Sequence, residues 1–161
     1  MKTNKQYLKW CARQSKGIRI VKESTNLQKA YLKKSTEALR SMQVNAKEGI
    51  NDWVISTSYY AKYFAIYALL SRLGIKCEIH DCTIAIFGYL FADKLPSFLE
   101  GLQQAKEDRV EAQYYTTSIS IDSQKIVSET KEFVLKIEEI IDNLNPQMIS
   151  DIKSKLKKLV Q

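Results

Sequence analysis

Several residue types are scarce in this sequence, and each scarcity excludes a class of protein. Among 161 residues there are five Gly, two Pro, three Cys and one His. Because chain-breaking residues are few and 45% of the residues are hydrophobic, the composition excludes collagen-like, disordered and many-turned β-sandwich proteins. The length fits one compact domain with a short extension. Long helices are therefore expected.

Long apolar runs are also absent. Lys62 and Arg72 interrupt the most hydrophobic stretch, Trp53 to Leu73, so no run reaches the roughly 18 to 20 residues of a membrane span. The first residues have neither the apolar segment nor the small-residue cleavage site of a secretory signal. We therefore expect a cytoplasmic protein that does not associate with a membrane.

The cysteines and the single histidine are too few for a zinc site made of two spaced ligand pairs. Three cysteines cannot all pair with one another, so buried, reduced thiols are the favoured interpretation of Cys11, Cys77 and Cys82. The alternative is a three-ligand cluster of Cys77, His80 and Cys82, although two of these would face opposite ways on a regular helix. We expect no metal and no cofactor.

Acidic residues are absent from residues 1–22. That segment has seven Lys and Arg, whereas the rest of the chain has 18 basic and 18 acidic residues, so the whole formal charge of +7 lies at the N-terminus. Five basic residues recur there at a spacing of three or four, which places them in one stripe of a helix: Lys2, Lys5, Lys9, Arg13 and Lys16. Together with Lys76 they are the candidate nucleic-acid contacts; the alternative is a solvated arm that only increases solubility.

The remaining sequence has the apolar period of helices. Five helices are predicted, at about 26–47, 52–72, 80–91, 94–115 and 122–143. The second is apolar on nearly all sides, which is typical of a central core helix. Asn145-Pro146 is typical of the cap and first turn of a terminal helix.

The expected fold is all-α, an antiparallel up-and-down bundle of four or five helices with an extra basic N-terminal helix and a C-terminal helix. The corresponding divisions are a basic arm at 1–23, the bundle at 24–144 and the C-terminal amphipathic helix at 145–161. The apolar face of that last helix either folds back on the bundle or clasps a second copy or another protein.

His80 is the only imidazole, so histidine acid-base chemistry near neutral pH must use it. Arg72 and Lys76, just upstream, provide cations that can contact a phosphate. The structural alternative is that His80 caps its helix or packs at its rim.

Tyrosines recur at helical spacing along the predicted core helix. Core packing is the simpler interpretation, and a stacking platform for bases is the alternative. Arg109 together with Tyr114 and Tyr115 is a candidate partner network for tyrosine hydroxyls. The core-helix tyrosines are Tyr59, Tyr60, Tyr63 and Tyr67.

The stretch from Ser56 to Leu70, STSYYAKYFAIYALL, followed by Gly74, His80 and Phe87, resembles the central helices of HEPN domains (higher eukaryotes and prokaryotes nucleotide-binding). It looks most like small stand-alone archaeal and bacterial members. The segment RVEAQYY, from Arg109 to Tyr115, resembles that family's Arg to Asp-Tyr segment. The similarity extends over about 24–144.

The resemblance implies an antiparallel helical bundle, commonly a homodimer, that often acts beside a minimal nucleotidyltransferase in a toxin-antitoxin pair. It also implies that active members are metal-independent ribonucleases with an Arg, four to six residues and then a His. Here seven residues, including Gly74, separate Arg72 from His80. In other members of the family the Arg and the His lie on either side of the Tyr-Tyr-Ala segment, and the corresponding positions here hold Thr57 and Phe64. This departure indicates a degenerate catalytic pair.

Three hypotheses follow. The first is a HEPN-like module that binds nucleic acid or a nucleotide-handling partner, with the basic N-terminal stripe as its contact surface. The second is an active metal-independent ribonuclease that uses His80 with Arg72 on the phosphate. The third is a structural homodimeric interaction protein.

Overall fold

A computed structural model of the chain describes residues 5–93, 95–115 and 120–160. Within those ranges the chain forms seven helices and two short strands. In chain order they are α1 (Lys5–Arg13), β1 (Arg19–Ile20), α2 (Thr25–Lys47), α3 (Asn51–Leu73), β2 (Ile75–Lys76), α4 (His80–Phe91), α5 (Pro96–Tyr114), α6 (Ser123–Asn143) and α7 (Pro146–Val160). The predicted all-α fold is confirmed.

Local side-chain chemistry sets several helix ends. The Ser24 hydroxyl accepts a hydrogen bond from the Leu27 amide at 3.1 Å, and Asp122 accepts one from the Lys125 amide at 3.0 Å. Asn145 caps α7 in the same way. Gly74 ends α3 in the left-handed conformation (φ 67°), which a residue without a Cβ adopts at little cost.

The centre of the molecule is α3, as its apolar sequence predicts. Helix α2 runs antiparallel to it through the turn at Gly49, α5 and α6 cover other sides of it, and α4 packs on α5. Fully buried side chains such as Tyr59, Ile66 and Leu69 line α3, and they share one core with Phe87 and Ile137. The core helix is therefore enclosed and holds the surrounding helices in place.

Both terminal helices pack against the bundle. Leu8 of α1 and Leu156 of α7 are fully buried, Ile149 and Leu159 nearly so, and Ile152 is half-buried. The C-terminal helix thus folds back on its own chain. The apolar pattern of the sequence also predicts that Val160 faces inward, but its side chain lies outside the described part of the structure.

The short strand pair was not predicted. Arg19 pairs with Lys76 and Ile20 with Ile75 in an antiparallel arrangement, and the Val21 amide donates to the Gly74 carbonyl at 2.8 Å. Residues 18–21 are too few to show a period in the sequence, so only the tertiary pairing identifies them as a strand.

The structure corrects the prediction that all three cysteines are reduced. A disulfide joins Cys11 of α1 to Cys82 of α4, while Cys77 is a buried free thiol whose pKa is raised by burial. The three-ligand metal cluster is also wrong, since the Cys82 sulfur is bonded to Cys11. Sequence spacing missed the pair because 71 positions separate its members.

None of the helices in the described ranges combines the length and the hydropathy needed to cross a bilayer.

Candidate functional site

His80 is the first residue of α4 and packs against tyrosines of α3. Its ring lies parallel to that of Tyr63, with centroids 4.2 Å apart, and its Nδ1 is 2.7 Å from the Tyr59 hydroxyl oxygen. The helix itself begins after Ile79 without a side-chain cap. The tyrosines of the core helix thus fix the position of the imidazole.

The buried phenol of Tyr59 determines the tautomer of a neutral His80. Tyr59 is fully buried, and in the described residues its hydroxyl has one hydrogen-bond partner, His80 Nδ1. A buried hydroxyl that fails to donate costs about 1–3 kcal/mol, so we assign the proton of this hydrogen bond to the phenol. His80 Nδ1 is then the acceptor, and Nε2 carries the imidazole proton and is a donor.

Arg109 of α5 completes the cluster. Its guanidinium carbon lies 5.1 Å from the ring centroid of Tyr59 and 5.6 Å from that of Tyr60. It donates to the Tyr60 hydroxyl at 3.3 Å and to Gln113 Oε1 at 2.8 Å. The cation therefore lies over two aromatic faces, an arrangement that is favourable when partly desolvated.

Arg109 has donor capacity that the protein does not use. Its Nε is buried and has no hydrogen-bond partner, and in the described parts of the chain no carboxylate forms an ion pair with the guanidinium. Buried donors in folded proteins are nearly always satisfied, so an unsatisfied one indicates a ligand, ion or water at the site. The predicted network with Tyr114 and Tyr115 is replaced by one with Tyr60, since Tyr114 and Tyr115 are 73% and 64% exposed.

Burial and neighbouring cations keep His80 neutral at pH 7. Burial lowers the pKa of the imidazole, and Arg109 and Lys106 lower it further, while Asp81 opposes them. Lys106 forms an ion pair with Asp81, so this carboxylate is already paired with a cation and does not neutralise Arg109. The site combines one neutral imidazole with a small excess of positive charge.

The tyrosines of α3 serve as core packing, as the simpler interpretation held. Tyr59 and Tyr63 are buried, and burial raises the pKa of the Tyr63 hydroxyl to about 12. Burial also raises the pKa of Tyr59 and Tyr67. These phenols are neutral donors throughout the physiological range.

The other predicted site residues lie in different surroundings. Arg72 is 3.7 Å from Glu23 Oε2, and Lys153 holds the other oxygen of that carboxylate at 2.8 Å. Lys76 is 3.3 Å from Glu78, which also accepts from Arg19. In the described residues no hydrogen bond or ion pair joins Arg72 or Lys76 to His80, and Arg109 is the basic residue with the largest effect on the pKa of His80.

The predicted basic stripe is partly described. Lys5 and Lys9 lie on α1 and are exposed, Arg13 is its last residue, and Lys16 follows it in a turn, while Lys2 lies outside the described residues.

No motif spacing connects Arg109 with His80, because Arg109 lies on a later helix. The available sequence signal was the place of Arg109 in the RVEAQYY segment. In the described chain no group of three or more His, Cys, Asp or Glu is placed to hold a metal ion.

The family model for the HEPN domain matches residues 28–145, which is more than half of the chain. The chain belongs to the HEPN domain family. The matched part of this HEPN domain contains most of α2 and all of α3 to α6, and with them Tyr59, His80 and Arg109, whereas α1 and α7 lie outside it. Membership supports a helical module related to nucleotides or RNA. A comparison with curated proteins gives no significant match.

Proposed function

We propose that this HEPN domain binds a phosphate group of a nucleotide or of RNA between His80 and Arg109. The observation that carries the proposal is the Arg109 guanidinium, which rests on two tyrosine faces and has a buried Nε–H without an acceptor. A phosphate oxygen would supply that acceptor once the side chain turns away from the tyrosines. Arginine is suited to this role because its planar donors match phosphate oxygens.

His80 adds a neutral donor to the same site. With Nδ1 accepting from Tyr59, its Nε2–H is available to a phosphate oxygen. The lowered pKa of the imidazole means that this donor persists at pH 7 without adding charge. Arg109 therefore supplies the positive charge for phosphate binding, and His80 supplies a hydrogen bond that orients the phosphate.

The test is a binding titration with ATP, AMP and a single-stranded RNA dodecamer. Loss of a charged hydrogen bond costs about 1.5–3 kcal/mol, so Arg109→Gln should weaken binding roughly 10- to 100-fold. Arg72→Gln, the charge-matched control, should leave it within about twofold. Equal losses in the two variants, or no loss in Arg109→Gln, would contradict the proposal, and the preferred probe would distinguish a nucleotide from RNA.

Ribonuclease activity is the second candidate, and the neutral state of His80 favours it. A general base must be unprotonated at working pH, and burial keeps the imidazole so. However, the assigned tautomer places the proton on Nε2, so catalysis through that atom would require the Tyr59 hydrogen bond to reverse. Binding is therefore better supported than cleavage.

To test for cleavage, RNA degradation is measured in chelator for the parent and for His80→Ala, Arg109→Ala and Arg72→Ala. A ribonuclease should lose activity in the first two variants. If the parent leaves RNA intact, or if all four proteins behave alike, the enzyme hypothesis is wrong.

A further inference from the structure

A groove of about 550 Å³ lies between α1 and α7, the two helices outside the HEPN match. Four lysines line it, Lys5 and Lys9 from α1 and Lys155 and Lys158 from α7. Two residues of the predicted stripe, Lys5 and Lys9, thus form one wall of a two-sided basic site, and the second wall comes from α7.

The two walls are held at a fixed separation by buried side chains. Helix α1 is anchored by Leu8 and by the bond from Cys11 to α4, and α7 is anchored by Leu156 and Leu159. Because each helix is fixed on its inner face, the outer lysines cannot move apart freely. The groove is a formed feature rather than two mobile arms.

The charge of the groove is not neutralised by the protein. In the described residues none of the four lysines forms an ion pair, whereas Lys153 on the same helix α7 binds Glu23. The one carboxylate in the lining, Asp151, accepts a hydrogen bond from Gln147. Each residue of a helix rises about 1.5 Å along the axis, so Lys5 and Lys9 are about 6 Å apart along α1, and Lys155 and Lys158 are about 4.5 Å apart along α7.

An aromatic ring lies among these cations. Tyr89 of α4 is half-buried in the lining, and the Lys155 ammonium is 4.8 Å from its ring centroid. Cations that follow a phosphate chain, together with an aromatic face for a base, are the combination that proteins use for single-stranded nucleic acid. An acidic peptide would use the lysines but would not need the ring.

We infer that this groove binds single-stranded RNA, with phosphates on the four lysines and a base on Tyr89 once the Lys155 ammonium turns from that ring to a phosphate. The site is separate from Arg109 and His80 and does not rest on the function proposed for them. The Tyr89 ring favours a single strand, whose unpaired bases can stack on it, over a duplex, whose bases are already stacked on one another. Recognition by these groups is independent of base identity.

The experiment measures binding of a labelled single-stranded uridine dodecamer between 50 and 300 mM salt. For single strands the logarithm of affinity changes by about −0.7 per phosphate contact against the logarithm of salt, so Lys9→Gln/Lys158→Gln should make the slope shallower by about 1.4. The same relation predicts a loss of about 25-fold at 0.1 M salt. The control is Lys29→Gln/Lys47→Gln, two exposed α2 lysines with the same change of charge, which should lose less than about twofold.

Two further variants test the groove without removing lysine. Asp151→Asn removes the lining carboxylate and should tighten binding by roughly two- to fivefold. Tyr89→Leu should weaken it roughly fivefold or more, while Tyr89→Phe, which keeps the ring, should bind like the parent.

Three results would overturn the inference. The first is equal loss in the groove and control variants, which would indicate diffuse attraction. The second is tighter binding of a matched RNA duplex or of a dodecamer of glutamate. The third is absence of RNA binding by the parent at 50 mM salt. The groove variants are also measured in the Arg109→Gln background, where the site proposed at Arg109 and His80 is disabled. Lys9→Gln/Lys158→Gln should make the slope shallower by the same amount there, and no effect of these groove substitutions in that background would also overturn the inference.

Discussion

At the scale of single residues, His80 shows how burial converts a common side chain into a defined donor. The sequence identifies His80 as a candidate because the chain has a single histidine, but it does not identify the residues that contact His80. Tyr59, Tyr63 and Arg109 come from two other helices, and packing alone brings them to the imidazole.

The titration of His80 gives a direct prediction. Its pKa should lie below 6.5, because burial and then Arg109 disfavour the charged ring. Arg109→Gln should raise the pKa toward, but not to, 6.5, since the burial remains. Proton NMR of the ring is the measurement, and the single histidine provides one unambiguous signal.

Arg72→Gln is the matched control for that titration. Arg72 is paired with Glu23, so its removal should leave the pKa of His80 unchanged. An unshifted pKa in the parent, or an equal response to both substitutions, would show that the described contacts do not control this imidazole.

Lys62 gives a second residue-scale prediction. This lysine is 7% exposed, lies 3.5 Å from the Gly101 carbonyl oxygen and has its pKa lowered by burial. Between the lowered pKa of the folded protein and the ordinary lysine pKa of about 10.4, the unfolded chain binds more protons at Lys62 than the folded chain does. The contribution of Lys62 to the free energy of unfolding therefore rises with pH over that range. Lys62→Met should therefore raise the free energy of unfolding at pH 7, and the gain should shrink toward pH 10.

Denaturant unfolding of the parent and Lys62→Met at pH 7, 8.5 and 10 checks this. Lys29→Met, at an exposed position, should give a difference that does not vary with pH. A loss of stability in Lys62→Met at pH 7 would mean that the ammonium is favourably bound in the folded state.

At the scale of elements, helix boundaries follow from local chemistry. Ser24, Asp122 and Asn145 begin helices through their own side chains, and Gly74 ends α3 through its positive φ. These ends were predictable because each depends on a few adjacent residues. The β1–β2 pair was not, because its two strands lie far apart in the sequence.

Gly49 and Gly74 have similar positive φ angles but different surroundings. Substitutions at the two positions therefore separate the cost of backbone strain from the cost of a steric clash. Gly49 (φ 70°) has open space where a Cβ would project, whereas a Cβ on Gly74 would lie 2.5 Å from the Val21 carbonyl oxygen. Gly49→Ala should cost about 1–2 kcal/mol from the left-handed backbone alone. Gly74→Ala should cost clearly more, and denaturant unfolding of both checks the order; equal costs would show that the contact with Val21 relaxes freely.

The disulfide gives a second element-scale prediction. A bond that closes a loop of this length stabilises the folded chain by about 4 kcal/mol in the chain-entropy treatment. Adding a reductant should therefore lower the free energy of unfolding of the parent by about 4 kcal/mol. The double variant Cys11→Ala/Cys82→Ala should be indifferent to reductant, and Cys77→Ala should respond like the parent.

Intact mass without reductant provides the check on the bond itself. Alkylation of the unfolded, unreduced parent should label Cys77 alone. Labelling of all three cysteines would contradict the Cys11–Cys82 bond.

At the scale of the whole molecule, the positive charge used by the two proposals lies in two places. Lys5 and Lys9, from the basic segment 1–22, form one wall of a groove that α7 completes, while the HEPN-matched body holds the Arg109 and His80 cluster. The stripe was predictable from spacing. Its meeting with Lys155 and Lys158 was not, since α1 and α7 are the two ends of the chain.

Oligomeric state remains a prediction at this scale. The family resemblance favours a homodimer, with a minimal nucleotidyltransferase as a second possible partner. Large hydrophobic side chains at the surface are consistent with such contacts, among them Trp53 and Leu135, which are 57% and 64% exposed. Light scattering after gel filtration should give twice the chain mass of 18.6 kDa, and a mass of one chain at all concentrations would contradict the dimer.

The sequence alone determined the helices, the central position of α3, the family and the location of the charge, because periodicity, caps and composition are local properties. Only the tertiary structure decided which residues meet: His80 with Arg109 rather than Arg72, Cys11 with Cys82, and Lys9 with the lysines of α7. These pairings depend on the packing of helices that are distant in the chain. No spacing along one segment encodes them.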